Sequence, residues 1–407
     1  MTLLLRRFAD VVVMALALVC LVIGGADVAA AHFGGGREPS SYRGEITSVS
    51  PALDGVTFRL TDAADRIEVR STSRTPVIVY GYQHKEPGDR DPYLKASVDG
   101  VWVNTESQAA YLNASRMGGD VPARLADDRG EGAPVWKKVS DTGVYRWHDH
   151  RIHWMLPEPP AAVSDDPGTE HHVIRDWHIY ATQGDRPEST ITGQLYWVPA
   201  SPAPWWLATA GFGLAGVVAG VAGRRSALTN GSRGAGDAPL VVAACVLGAA
   251  AIGQAALTPL PEDAYQGSLG FVLASAAVPA LAVAGLCALG VAALRRGSAA
   301  ARYLIGGAGA LAALQGTSDL PAITRSQLEH TGPEWLVRLI VACVVGLGLG
   351  LLIGMVARSV RRTPQETRDV RSVDIASDEE LAEITSGLAV RGTRRAPPRR
   401  AAPEQQV

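Results

Sequence analysis

The sequence predicts an exported all-β domain, expected to be an immunoglobulin-like β-sandwich, followed by an α-helical membrane bundle of about five spans. Residues 32–200 are polar and mixed, whereas residues 204–358 consist mostly of Ala, Gly, Leu and Val, and residues 1–31 have the form of an export signal. The overall hydrophobic content of 47% therefore averages over two regions that are suited to different solvents.

The N-terminal segment contains Arg6 and Arg7, an apolar core over 11–25 and small residues up to Ala31, which is typical of a secretory signal peptide. Cleavage after Ala31 would make His32 the first residue of the mature protein. An uncleaved anchor helix is the alternative interpretation of the same segment.

Ten short segments, with turn residues between them, predict the strands of the exported domain. They span 44–49, 56–60, 67–71, 76–82, 93–98, 101–104, 135–139, 144–155, 173–180 and 190–198. Asp99 and Gly100 predict a two-residue hairpin turn, and 116–132 is expected to be a surface loop. The domain contains no cysteine, so we expect a hydrophobic core rather than disulfides to hold it together.

Five apolar stretches predict membrane spans, which makes a lipid bilayer the expected partner. They cover 204–223, 238–257, 269–294, 301–316 and 336–357. Arginines follow the first, third and fifth stretches, and by the positive-inside rule this places the β-domain outside the cell. The tail, 363–407, is then cytoplasmic, and its polar, Pro/Arg-rich composition predicts disorder.

Glycines recur every four residues in the fifth stretch, at Gly346, Gly350 and Gly354. This spacing favours close helix packing, either inside one bundle or between two self-associating chains. A formal net charge of −2 with no basic patch does not favour a nucleic-acid partner.

The segment 147–155 contains three imidazoles and a thioether, from His148, His150, His153 and Met155. In one extended strand His148 and His150 would project to one face, and His153 and Met155 to the other. A bend at 149–151 would instead bring His153 round to the first two histidines.

Four further histidines are candidate ligands. They are His178 on a later strand, its neighbours His171 and His172, and His32 at the mature N-terminus, where the α-amine and ring could chelate one ion. Neutral imidazole suits Cu(II) and zinc, and Met155 would add affinity for Cu(I), so copper is the expected metal and zinc the alternative. We expect Asp149 to accept a hydrogen bond from a ligand histidine. His84 and His330 are isolated in the sequence and expected to be exposed.

These patterns favour a membrane-anchored, extracytoplasmic protein that handles or senses a metal at the cell envelope, together with an envelope metal-handling partner. The alternative is a non-metal structural or interaction protein whose histidine-rich strand packs against the helices. The H-x-H-x-x-H spacing is similar to that of metallo-β-lactamase-type zinc hydrolases. However, Ile152 replaces the aspartate of that motif and the βα alternation is missing, so no enzyme is predicted.

With the segments 147–155, 193–199 and 324–328, the layout resembles uncharacterised bacterial multi-pass membrane proteins that carry an exported β-domain before about five spans. This resemblance implies the architecture and no particular function. Through His32 and the β-rich character, the exported region is more loosely similar to periplasmic copper-resistance domains, small β-sandwiches that begin with histidine. That similarity implies copper binding.

Overall fold

The structure is a computed structural model that describes residues 39–86, 91–126, 132–156, 158–222, 237–260 and 268–360. Strands occupy the N-terminal part of these residues and helices the C-terminal part. The predicted export signal, His32 and the tail lie outside the described residues.

The described residues up to Trp197 form ten strands. These are β1 (Tyr42–Ser50), β2 (Val56–Thr61), β3 (Arg66–Ser71), β4 (Val77–Tyr80), β5 (Pro92–Ser97), β6 (Gly100–Asn104), β7 (Trp136–Ser140), β8 (Val144–His148), β9 (His171–Gln183) and β10 (Ser189–Trp197). Three short helices lie among them, namely α1 (Ala109–Leu112), α2 (Ala123–Ala126) and α3 (Ala161–Asp165). Each predicted strand is present, although several bounds differ.

The strands form a seven-stranded sheet, in the order β1-β10-β9-β4-β5-β6-β7, and a three-stranded sheet, in the order β2-β3-β8. Both sheets contribute to one hydrophobic core, in which Ile67 and Trp147 of the small sheet join Leu94, Ile179 and Ile191 of the large one. Burying a side chain of this size stabilises the fold by about 1.5–3 kcal/mol. The immunoglobulin-like arrangement that the sequence predicts is not confirmed.

The prediction of one strand over 144–155 is wrong, because β8 ends at His148. The Asp149 carboxylate accepts hydrogen bonds from the backbone N and Nε of Arg151, at 3.2 and 2.7 Å. The Ile152 backbone N donates to the Asp149 backbone O at 3.0 Å, and the Ile152 side chain enters the core. The chain therefore bends directly after His148, which is the second of the two conformations considered for this segment.

A smaller correction concerns the β5–β6 hairpin, where Ser97 pairs with Gly100. The two turn residues are therefore Val98 and Asp99, one position earlier than predicted. Gly100 itself opens β6 with a φ of +139°, a conformation that side-chain-bearing residues rarely adopt.

The helical region contains six helices among its described residues. They are α4 (Ala203–Ala222), α5 (Ala238–Leu257), α6 (Leu269–Arg295), α7 (Ala300–Thr317), α8 (Pro321–Thr324) and α9 (Glu334–Val360). Of these, α4, α5, α6 and α9 are long and apolar enough to cross a membrane. Helix α7 coincides with the fourth predicted span but is not among the four, since it includes Arg302 and Gln315.

Backbone hydrogen bonds join the β-sheet region to the helical region. The backbone N of Ser40 donates to Gln327 O at 3.0 Å, and the backbone N of Gln327 donates to Ser40 O at 2.7 Å. The start of β1 is thereby attached to the segment 325–333, which connects α8 to α9.

Helix α9 makes backbone contact with α4 through its glycines. A Cβ atom added to Gly346 would lie 2.1 Å from the backbone O of Thr209, and one added to Gly350 would lie 2.1 Å from Gly213 O. A Cβ on Gly354 would lie 3.0 Å from the Cα of Gly220. The predicted glycine face is therefore used inside one chain, and no room is left on it for self-association.

We predict that Gly350→Ala lowers the thermal unfolding midpoint of the detergent-solubilised protein. The new methyl group would overlap the backbone of α4, and overpacking of this kind costs about 1–3 kcal/mol. The matched control is Gly211→Ala on α4, where an added Cβ has no neighbour within 4 Å. The control should leave the midpoint unchanged or raise it, because alanine favours helix. Equal midpoints for the two variants would contradict the contact.

Candidate metal centre

The turn between β2 and β3 meets the bend that follows β8. Strands β3 and β8 are neighbours, and Arg66 at the start of β3 is opposite His148 at the end of β8. Asp65, one residue before Arg66, consequently lies beside His148, and the bend returns His153 to the same place. One potential ligand atom from each of Asp65, His148 and His153 lies within 4.8 Å of the other two.

The three side chains are buried, and the distances between their donor atoms are close to those between the ligands of one metal ion. His148 Nδ1 is 3.1 Å from Asp65 Oδ2, and His153 Nδ1 is 4.0 Å from Asp65 Oδ1. Two donors of a tetrahedral zinc site, each roughly 2.0–2.2 Å from the ion, are about 3.4 Å apart. The first pair therefore already has the required spacing, and His153 would need to approach by roughly 1 Å to complete the site.

His153 has one buried ring nitrogen, Nε2, without a hydrogen-bond partner among the described residues. Its other ring nitrogen, Nδ1, is the one that lies 4.0 Å from Asp65 Oδ1, and it is 3.4 Å from the backbone O of Trp154. Buried polar atoms are nearly always paired, and an unpaired one calls for an explanation. Burial lowers the pKa of His153 more than the nearby Asp65 carboxylate raises it, so the ring is neutral at neutral pH, as a metal ligand must be.

Asp65 supplies the negative charge of the group. Burial raises its pKa, but the hydrogen bond from His148 and the positive charge of Arg116 outweigh burial and hold the pKa below its ordinary value. Arg116 Nε lies 3.2 Å from Asp65 Oδ1. The carboxylate is therefore ionised at neutral pH, and a metal ion would compete with the guanidinium of Arg116 for it.

An unusual turn holds Asp65 in place. Asp62, Ala63 and Ala64 have φ values of 54°, 54° and 69°, a left-handed conformation that costs roughly 1–2 kcal/mol for each such residue. The Ala63 backbone N donates to Glu329 Oε1 at 3.0 Å, and the Asp65 backbone N donates to Asp62 O at 3.1 Å. Strained turns of this kind persist where their surroundings hold them, often at functional sites.

The three histidines of the sequence cluster converge, but only two of them belong to the ligand group. The His153 ring centroid is 6.4 Å from that of His148 and 5.5 Å from that of His150. His150 Nε2 lies 3.4 Å from the backbone O of Ser115, and His150 is not part of the group. His150 is thus the nearest additional imidazole to the group.

His178, another predicted ligand, is not brought to this group. It is exposed on β9, and its Nδ1 lies 3.3 Å from Thr192 Oγ1. Met155 is partly buried, and its place as a ligand stays a prediction. His32 lies outside the described residues.

Three expectations about neighbouring polar residues are wrong. Asp149 bonds to Arg151 and to the Trp147 indole rather than to a histidine. His84 is buried, with Nε2 3.0 Å from Glu188 Oε2. His330 is partly buried and accepts a hydrogen bond from the Gly332 backbone N at 3.4 Å.

Glu68 fastens β3 to β8 and so keeps Asp65 beside His148. Its buried carboxylate accepts hydrogen bonds from Arg146 Nε on β8 and from Arg59 Nε on β2, both at 2.6 Å. Burial raises the pKa of Glu68, but the two arginines lower it by more than burial raises it. The pKa of Glu68 is therefore below its ordinary value.

No protein-family model matches this chain, and neither do any curated proteins or solved structures. The class of site therefore follows from its geometry, which is that of a buried carboxylate with two imidazoles.

We predict that stability falls as the pH drops below 4.5, the ordinary pKa of glutamate. Because the pKa of Glu68 is lower in the folded state, its ion pairs stabilise the fold above that pH and are lost as the pH falls through the folded pKa. At neutral pH, Glu68→Gln should cost about 3–5 kcal/mol, since Arg146 loses a buried carboxylate. Thermal unfolding, followed by circular dichroism from about pH 7 to about pH 3, measures both effects.

The matched control for this variant is Asp141→Asn, which removes an exposed partner of Lys138 and should leave the unfolding midpoint unchanged. A Glu68→Gln protein with the wild-type midpoint and pH dependence would show that Glu68 does not hold the two strands together.

Proposed function

We propose that this chain is a membrane-anchored protein that binds a divalent transition-metal ion through Asp65, His148 and His153. The observation that carries the proposal is the buried group of one carboxylate and two imidazoles, in which one potential ligand atom of each residue lies within 4.8 Å of the other two. Burial of the group favours a retained ion over a transient surface contact, because donors held by packing need little reorganisation.

The donor chemistry favours Cu²⁺ or Zn²⁺. Imidazole nitrogen suits both ions, and two histidines with one carboxylate leave a position for water or a fourth donor. A soft sulfur ligand would select Cu⁺, whereas the three donors of this group are nitrogen and oxygen atoms. We therefore propose Cu²⁺ or Zn²⁺ as the bound ion. The protein would handle or sense this ion at the cell envelope.

A second candidate function has its own supporting observation. His148 Nδ1 lies 3.2 Å from Asp65 O as well as 3.1 Å from Asp65 Oδ2, and Arg116 contacts the other carboxylate oxygen. The same residues could thus act as a structural ion-pair network in a non-metal envelope protein. Metal affinity separates the two functions.

We predict that the full-length, chelator-treated protein retains Cu²⁺ or Zn²⁺ at micromolar free metal, measured by calorimetry and elemental analysis. Asp65→Asn and His153→Ala should each weaken binding by more than about 100-fold, because both remove a direct ligand. The matched control is His178→Ala, which removes an exposed imidazole that bonds to Thr192. Wild-type protein that retains neither ion would refute metal binding and favour the structural network.

We also propose that the β-sheet region is extracytoplasmic and the tail cytoplasmic, which requires an odd number of crossings. Support comes from the four membrane-length helices together with α7. With 18 residues α7 is about 27 Å long at roughly 1.5 Å per residue, close to the ~30 Å of a bilayer core. The arginines that follow α4, α6 and α9 fit this orientation.

We predict that cysteines introduced at Asp185, in the exposed β9–β10 turn, and at Ser386 in the tail are labelled from opposite sides of the membrane. A membrane-impermeant maleimide on intact cells should modify Asp185→Cys, and Ser386→Cys should react only after permeabilisation. The unsubstituted chain provides the background from its native cysteines. Labelling of both variants on intact cells would show that α7 does not cross.

A further inference from the structure

A cavity of about 680 Å³ opens between the two sheets of the β-region. Its walls come from β6 and β7 of the large sheet, from β8 of the small sheet, and from α1 and the residues after it. Pockets that bind small organic ligands typically have volumes of about 300–1,000 Å³. The volume therefore fits a small organic molecule, and the cavity borders the hydrophobic core at Tyr93 and Trp147 and the proposed metal site at His148.

Aromatic rings form much of the lining, from Tyr93, Tyr111, Tyr145 and Trp147. The rings of Tyr145 and Trp147 are nearly parallel, at an interplanar angle of 11°, and Tyr93 meets Trp147 edge-on at a centroid distance of 6.2 Å. Flat aromatic surfaces favour ring-shaped ligands, which gain stacking energy beyond simple burial.

Asn113 lines the cavity. Its Oδ1 atom accepts a hydrogen bond from the Tyr82 hydroxyl, which fixes the orientation of the amide. The Nδ2 atom is buried beside the Tyr93 hydroxyl, which interacts with the same amide. The amide is therefore a polar part of the cavity wall that two tyrosines already hold in place.

The charges around the cavity have one sign. Lys137, Arg66 and Arg146 line it, and no aspartate or glutamate does so among the described residues. The arginines also contact carboxylates outside the cavity, whereas the exposed Lys137 side chain reaches it from β7. Strand alternation directs the next residue, Lys138, to the opposite face, where its Nζ lies 5.5 Å from the centre of the Trp102 ring.

We propose that this cavity binds a ring-containing small organic acid. The aromatic walls would contact the ring, and the Lys137 ammonium would bind the carboxylate. The site shares His148 with the proposed metal centre but does not require an ion.

The proposal is tested with the full-length protein in nanodiscs, by titration with benzoate, its neutral analogue benzamide, and acetate, which has no ring. A chelator is present throughout, so metal binding does not enter and either proposal can fail without the other. Benzoate should bind with a dissociation constant on the order of 1 mM, as expected for so small a ligand. Benzamide and acetate should each bind at least about 10-fold more weakly.

Lys137→Gln should weaken benzoate binding by about 5–10-fold, whereas the matched control Lys138→Gln should change it by less than about two-fold. Lys137 is exposed, so its loss should leave the fold intact. Absence of benzoate binding, equal binding of all three probes, or equal effects of the two lysine variants would each overturn the proposal.

Discussion

Burial of the Asp65 carboxylate is the constraint on which the arrangement of the β-region depends. An ionised group inside a protein is destabilising by several kcal/mol unless opposite charge and hydrogen bonds surround it. Here His148 and Arg116 provide that compensation. The β2–β3 turn that carries Asp65 has left-handed backbone, and β8 ends at His148. One buried charge thus joins three segments that are distant in sequence.

The same strand end serves two chemical environments. His148 faces Asp65 and His153 on one side and lines the aromatic cavity on the other, and Glu68 with Arg146 holds the strand in register. The turn that carries Asp65 also bonds to Glu329, which lies within the segment 325–333 that leads into α9. A change in the charge of the Asp65 carboxylate would therefore occur close to the connection between the sheets and the helices.

Local patterns in the sequence were sufficient to predict the ten strands and the helices, because alternation and apolar runs are properties of short segments. The end of β8 was not predictable in this way, since Ile152 continues the apolar pattern and a buried ion pair between Asp149 and Arg151 decides the bend. Asp65 was missed because it lies 83 residues before His148 and only strand pairing joins them. The histidine cluster located the site but could not select its ligands.

The glycine contacts of α9 limit how this chain can change over evolution. At Gly346 and Gly350 even one methyl group would collide with the backbone of α4, whereas exposed positions of the same helix, such as Leu349 and Ile353, carry large side chains without contact of that kind. Substitutions should accumulate on the outer surface while the four-residue glycine spacing stays fixed. Distant relatives would then share that spacing long after overall identity had faded.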